Sequence, residues 1–170
     1  MKSVILIGMP GSGKSTVGVL LAKRLRRGFV DTDLILQEKD GRALQEILDT
    51  EGAEGFIATE ERILTDFVPT GEVVATGGSV VYSQSLMEHF SRHGILVFLD
   101  VHAEVLLPRL SNLDTRGVVR RGGQTVQDLW NERDPLYRKW AQVCVDNSMD
   151  NHESVIEAIA SLPELHARKG

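Results

Sequence analysis

Four residues set the first constraint. Gly8, Gly13, Lys14 and Ser15, in GMPGSGKS, fit the spacing G-x-x-x-x-G-K-[ST]. Glycines let a backbone curl until its N–H groups converge on phosphate oxygens. On this pattern Gly11, Ser12 and Gly13 form the cradle and Lys14 reaches the β- and γ-phosphates. The Ser15 hydroxyl meets Mg²⁺, and Thr16 lies at a helix N-terminus that adds the positive end of its dipole. The small molecules implied are ATP and Mg²⁺.

A second constraint comes from Asp31 and Asp33 in VDTD. On an extended strand two such residues point the same way. They would stand at the carboxyl end of a strand, where open α/β sheets bind ligands. One carboxylate can hold Mg²⁺ through water while the other accepts the proton of an attacking hydroxyl. Both residues also suit turn capping. Asp100, which ends ILVFLD, is a rival strand-ending metal carboxylate or a helix cap. The pattern alone leaves Asp31 and Asp100 both open.

These residues need a frame. Short apolar runs (SVILIG, GFVDTD, EVVATGG, ILVFLD, VCVD) alternate with helical patterns. In STVGVLLAKRL, Val17, Leu20, Leu21 and Leu25 recur at helical spacing, with cations toward the end. ALQEILDTEG, FIATEERILTDF, SLMEHFSRHG, HAEVLLPRLSNL and NHESVIEAIASL also predict helices. Pro108 is expected to kink its helix, and QTVQDLWNERDPLYRKWAQ is expected to break near Pro135. Alternating strands and helices imply a parallel sheet covered on both faces.

The bulk properties exclude several classes. The chain has 170 residues, a length suited to one domain, with a net charge of -5 that argues against a duplex nucleic-acid partner. No apolar run is long enough to span a bilayer. The single cysteine, Cys144, cannot form an internal disulfide and is expected in the core of a cytosolic protein.

Taken in order and spacing, GMPGSGKSTVGVLLA, VDTD, GRALQEI, EGAEGFIATEE, VVATGGS, the segment around Arg116 and ERDPLYRKWA resemble the shikimate kinases. The likeness runs nearly end to end. It implies a three-layer α/β/α P-loop fold with a five-stranded parallel sheet and a mobile lid. Residues 1–170 would form one kinase domain, a monomer, with the lid at about 112–124 and the substrate region at about 33–62. By the resemblance Asp31 takes the metal side with Ser15, and Asp33 the substrate hydroxyls. Gly77 and Gly78 bring backbone to the substrate ring, and Arg133 binds its carboxylate. Arg116 closes over the phosphates and Arg109 flanks the adenine. The polar, basic stretch NLDTRGVVRRGGQT suits a cover that excludes water.

Three positions depart from the family pattern. Ile57 stands where a second carboxylate-binding Arg is usual, which leaves Glu60 without its usual cation. Ser79 replaces a third glycine. Gly117 replaces the Pro that usually follows the lid Arg. The expected activity is ATP-dependent phosphorylation of a shikimate hydroxyl, in aromatic amino acid biosynthesis. A kinase for another hydroxy acid or polyol is the first alternative. A nucleotide-binding regulatory module without an acceptor is the second, and a nucleoside monophosphate kinase is a further one. An N-K-x-D base-reading motif for guanine does not occur.

Overall fold

A computed structural model describes residues 1–110, 117–149 and 151–166. Five strands form one parallel sheet: β1 (Ser3–Ile7), β2 (Phe29–Asp31), β3 (Val73–Ala75), β4 (Gly94–Asp100) and β5 (Val143–Asp146), in the order β2-β3-β1-β4-β5. β1 lies at the centre, with Leu6 opposite Ala75 on one side and Val97 on the other. Every residue of β1 is buried, as a continuous apolar run predicts for a strand covered on both faces.

Strand alternation divides the core in two. Val4 and Leu6 face a cluster with Val17 and Leu21 of α1 (Lys14–Leu25) and Val155 and Ile159 of α7 (His152–Ala160). Ile5 and Ile7 face the larger cluster on the other side. That cluster takes side chains from α2 (Thr32–Asp40), α3 (Leu44–Leu64), α4 (Gln84–His93), α5 (Ala103–Leu110) and α6 (Val126–Trp140). Among the described residues no helix is long and apolar enough to cross a membrane.

Several local expectations change. The second strand stops at Asp31 because that carboxylate caps α2, accepting a hydrogen bond from the Asp33 N–H. The two helices expected between 43 and 67 are both present; they meet at a non-helical kink at Gly52, where φ is 70° and ψ −178°, and together make up α3. α6 runs unbroken through Pro135, since buried Arg133, Asp134 and Tyr137 pin both sides of the proline. α5 likewise continues through Pro108. Cys144 is exposed, not in the core: β5 is an edge strand with one open face. Leu20 also faces outward.

α1 packs close to the sheet at Gly18, where a Cβ would stand 2.5 Å from Phe29 Cε2. Gly18→Val is therefore expected to cost about 1–3 kcal/mol through overpacking. At this size that lowers Tm by about 2–4 °C per kcal/mol, measurable by calorimetry.

Candidate active site

The phosphate loop spans the gap between β1 and α1. Its last residue, Gly13, has φ 89° and no room for a side chain, since a Cβ would meet Asn147 Nδ2 at 2.9 Å. Asn147 braces the loop by donating from Nδ2 to the Ser12 carbonyl at 2.7 Å. Lys14 Nζ donates to the Gly8 and Met9 carbonyls, both at 2.8 Å. Burial lowers its pKa to about 8, although the charges of Asp33 and Asp31 oppose the shift. Gly11, Gly13, Lys14, Ser15 and Thr16 line a cleft of about 380 Å³. Ser12 lies fully buried behind it.

Asp31 and Asp33 meet the loop from β2 and the first turn of α2, not from one strand face. The Ser15 hydroxyl donates to Asp31 Oδ2 at 2.7 Å. Asp100, the rival, accepts from Arg138 Nη2 at 2.7 Å. Asp31 is thus the carboxylate beside the phosphate-loop hydroxyl. Asp33 enters the cleft wall, and its Oδ1 lies 2.9 Å from where a Gly77 Cβ would be. Burial, then the Asp31 charge, raises its carboxyl to about pKa 6, against the pull of Lys14.

The far wall follows β3. Gly77 and Gly78 both line the cleft, and neither has space for a Cβ. At Gly77 the obstacles are Glu60 Oε1 at 2.8 Å and Asp33 Oδ1. At Gly78 they are the Pro10 ring and Arg133 Nη1, the latter at 2.9 Å. Arg133 is fully buried. Its Nε donates to the Tyr82 hydroxyl at 3.0 Å and its Nη2 to the Val119 carbonyl at 2.5 Å, while among the described residues Nη1 makes no hydrogen bond within geometric limits. The guanidinium also sits over the Tyr82 ring, 4.9 Å from its centroid. Tyr137, one turn on, donates to the Gly78 carbonyl at 2.6 Å.

Glu60 is buried and accepts a hydrogen bond from the Ser79 hydroxyl at 2.7 Å. Burial raises its pKa to about 8, with the Ser79 hydrogen bond opposing and the Asp33 charge adding. Arg62 does not approach it, lining a different surface groove with Glu38 and Asp66. Ile57 packs half-buried against the core, in a recess with Tyr82, Val119 and Arg121. Arg121 is held there by Glu132 at 2.7 Å and Glu54 at 3.1 Å.

The covering segment reaches the cleft through Gly117 and Val118. Gly117 has φ 63°, a Cβ there would lie 2.5 Å from Leu44 Cβ, and its N–H donates to Gln45 Oε1 at 3.2 Å. Proline, with φ fixed near −65°, cannot occupy that conformation. Arg116 lies outside the described residues. Arg109 sits half-buried in the last turn of α5 and is not among the residues that line the cleft.

Tyr82, Tyr137 and Asn147 carry no sequence signal, because each acts by holding a residue distant in the chain. Ser79 and Glu60 were each visible as oddities, and 19 residues of separation hid their pairing.

Residues 10–163 match the model of the shikimate kinase family. A shikimate kinase of Aromatoleum aromaticum is 35% identical over 92% of this chain and 91% of its own length. One from Mycobacterium avium is 36% identical over 96% of this chain and 94% of its own. The structure of shikimate kinase from Acinetobacter baumannii in complex with shikimate superposes with a TM-score of 0.87. It shares 30% identity, covering 99% of this chain and 96% of that one.

Glu60 makes stability depend on pH. Its pKa is about 8 folded, against 4.5 in an ordinary environment, so the folded state binds the proton more tightly. The stability it confers is complete at low pH and is lost as pH rises toward 8. Glu60→Gln has no such proton. Its stability relative to the unsubstituted protein should therefore rise between about pH 5 and pH 8, as read by Tm at each pH.

Proposed function

The chain belongs to the shikimate kinase family, and on that premise we propose that it transfers the γ-phosphoryl group of ATP to a hydroxyl of shikimate. The observation that carries this reading is the order of groups along one cleft. A phosphate cradle stands at one end. A buried guanidinium, whose Nη1 makes no hydrogen bond among the described residues, stands behind Gly78, and both Gly78 and Asp33 line the cleft. A buried N–H of a charged group without a partner is costly, and a ligand carboxylate removes that cost.

The nucleotide's phosphates lie on Gly11, Ser12, Gly13, Lys14, Ser15 and Thr16. Lys14 exchanges the Gly8 and Met9 carbonyls for phosphate oxygens. Arg109 flanks the adenine and Arg116 covers the phosphates. The residues present also fit Mg²⁺: the Ser15 hydroxyl and Asp31 carboxylate meet at the loop. Two hard oxygen donors suit an ion that keeps most of its water. When bound, that ion neutralises phosphate charge.

Arg133 binds the shikimate carboxylate, and Gly77 and Gly78 admit the ring. Asp33 accepts a hydrogen bond from the reacting hydroxyl. The hydroxyl oxygen attacks the γ-phosphorus, the bond to the β,γ-bridging oxygen breaks, and ADP departs. The hydroxyl proton passes to Asp33 and then to solvent. A carboxylate with pKa about 6 is ionised at neutral pH, yet it is a stronger base than an ordinary aspartate. Such sites work mainly by positioning and electrostatics. The chain serves as one monomeric cytosolic kinase domain, with residues 33–62 on the acceptor side and 112–124 as the cover.

The test is ADP formation from ATP and Mg²⁺ with shikimate, beside a panel of other hydroxy acids and polyols. Shikimate is expected to give the highest kcat/KM. A polyol or another hydroxy acid winning by a wide margin would assign a different acceptor. Asp33→Asn should lower kcat by about 10²–10⁴-fold with ATP affinity nearly kept. Lys14→Ala should abolish turnover with every acceptor, and an active variant would remove the phosphate-loop role.

A further inference from the structure

Position 57 is aliphatic, so Arg133 meets the acceptor's anionic group without a second guanidinium from that place. The wall holds another polar group. Ser79 is buried in the cleft lining and follows Gly78, against which Arg133 Nη1 rests. Its hydroxyl lies 2.7 Å from Glu60 Oε2. Glu60 itself does not line the cleft, being screened from it by Gly77 and Ser79. A serine hydroxyl has one proton to donate and rotates to suit its surroundings. Its direction is therefore set by what lies behind it.

Resting on the reading that the acceptor carries a carboxylate, we propose that Ser79 is a specificity-determining contact, its hydroxyl donating to that carboxylate beside Arg133 Nη1. Glu60 is the positioning residue. In the structure the serine donates to Glu60 Oε2; when Glu60 carries its own proton that hydrogen bond reverses, Glu60 donating to Ser79 Oγ, and the serine proton is then free to face the ligand. As an anion it claims the serine proton and turns lone pairs toward the cleft, where they repel a carboxylate. The charged and titratable groups around Glu60 are Asp33 on α2 and Arg133 and Tyr137 on α6. Burial holds the Tyr137 hydroxyl proton well past neutrality, so it does not switch in the working range. Burial likewise favours the neutral acid at Glu60 up to a pH of about 8. The hydroxyl that departs from the glycine pattern thus answers the arginine that is missing. One change satisfies the buried glutamate and supplies a donor to the substrate.

The experiment compares kcat/KM for shikimate with that for its methyl ester, which lacks the anionic charge. A ratio is unaffected by any loss of folded enzyme. In Ser79→Ala the shikimate-to-ester ratio should fall about tenfold, the usual loss for one hydrogen bond to a charged group. A role confined to packing would lower both substrates alike and leave the ratio unchanged, which overturns the proposal. A second measurement follows the acceptor KM at saturating ATP across pH. It should rise above about pH 8 in the unsubstituted enzyme, and Glu60→Gln should flatten that rise. An equal rise in the variant also overturns the proposal. Should the unsubstituted enzyme not phosphorylate shikimate at all, the functional reading falls and takes this one with it. Activity with an unchanged ratio removes Ser79 alone.

Discussion

A guanidinium cannot be taken out of water without replacing its solvation, and Arg133 is wholly buried. Much of the acceptor side of the molecule is arranged to meet that requirement. Tyr82 supplies a hydroxyl and a ring face from the turn after β3, and Val119 supplies a carbonyl from the segment that covers the cleft. Tyr137 ties the same helix to the Gly78 carbonyl. Arg133 therefore joins the turn after β3, the Val119 segment and α6. The nitrogen left over lies beside Gly78, which itself lines the cleft.

The opposite wall is built from backbone. The phosphate loop needs glycine at position 13 because its conformation is left-handed and Asn147 closes the space above it. Asn147 comes from the end of β5, so the edge strand braces the central loop. Lys14 rests on two loop carbonyls, with its proton held less tightly than in water. Half-buried Asp33 in the cleft wall and fully buried Glu60 behind it bring their carboxyls together at Gly77. Burial penalises ionisation of both, and each raises the other's pKa or that of a neighbour, so protons are shared out by environment.

Departures from the family pattern look damaging one at a time and coherent together. Gly117 adopts a conformation closed to proline and packs its Cα against Leu44. Ile57 lines a small recess with Tyr82, Val119 and Arg121, and the Arg121 charge is met there by two glutamates. Ser79 bonds the carboxyl that would otherwise lie buried and unsatisfied.

Local chemistry made much of this readable from the chain alone. The phosphate loop, the alternation of strands and helices, and the buried parallel sheet follow from short-range spacing and side-chain type. Asp33 was legible as one of the pair in VDTD, while its substrate role and Arg133 were reached through a likeness spread over the whole length. The tertiary structure decided what depends on long-range approach. It put Asp31, not Asp100, beside the phosphate-loop hydroxyl: Ser15 reaches the first while Arg138 occupies the second. It kept α6 helical through Pro135 by packing on both sides. It left Cys144 exposed because β5 is an edge, a property of strand order that no local pattern encodes. It also paired Ser79 with Glu60 across 19 residues, since a buried carboxyl takes whatever donor the fold brings within 3 Å.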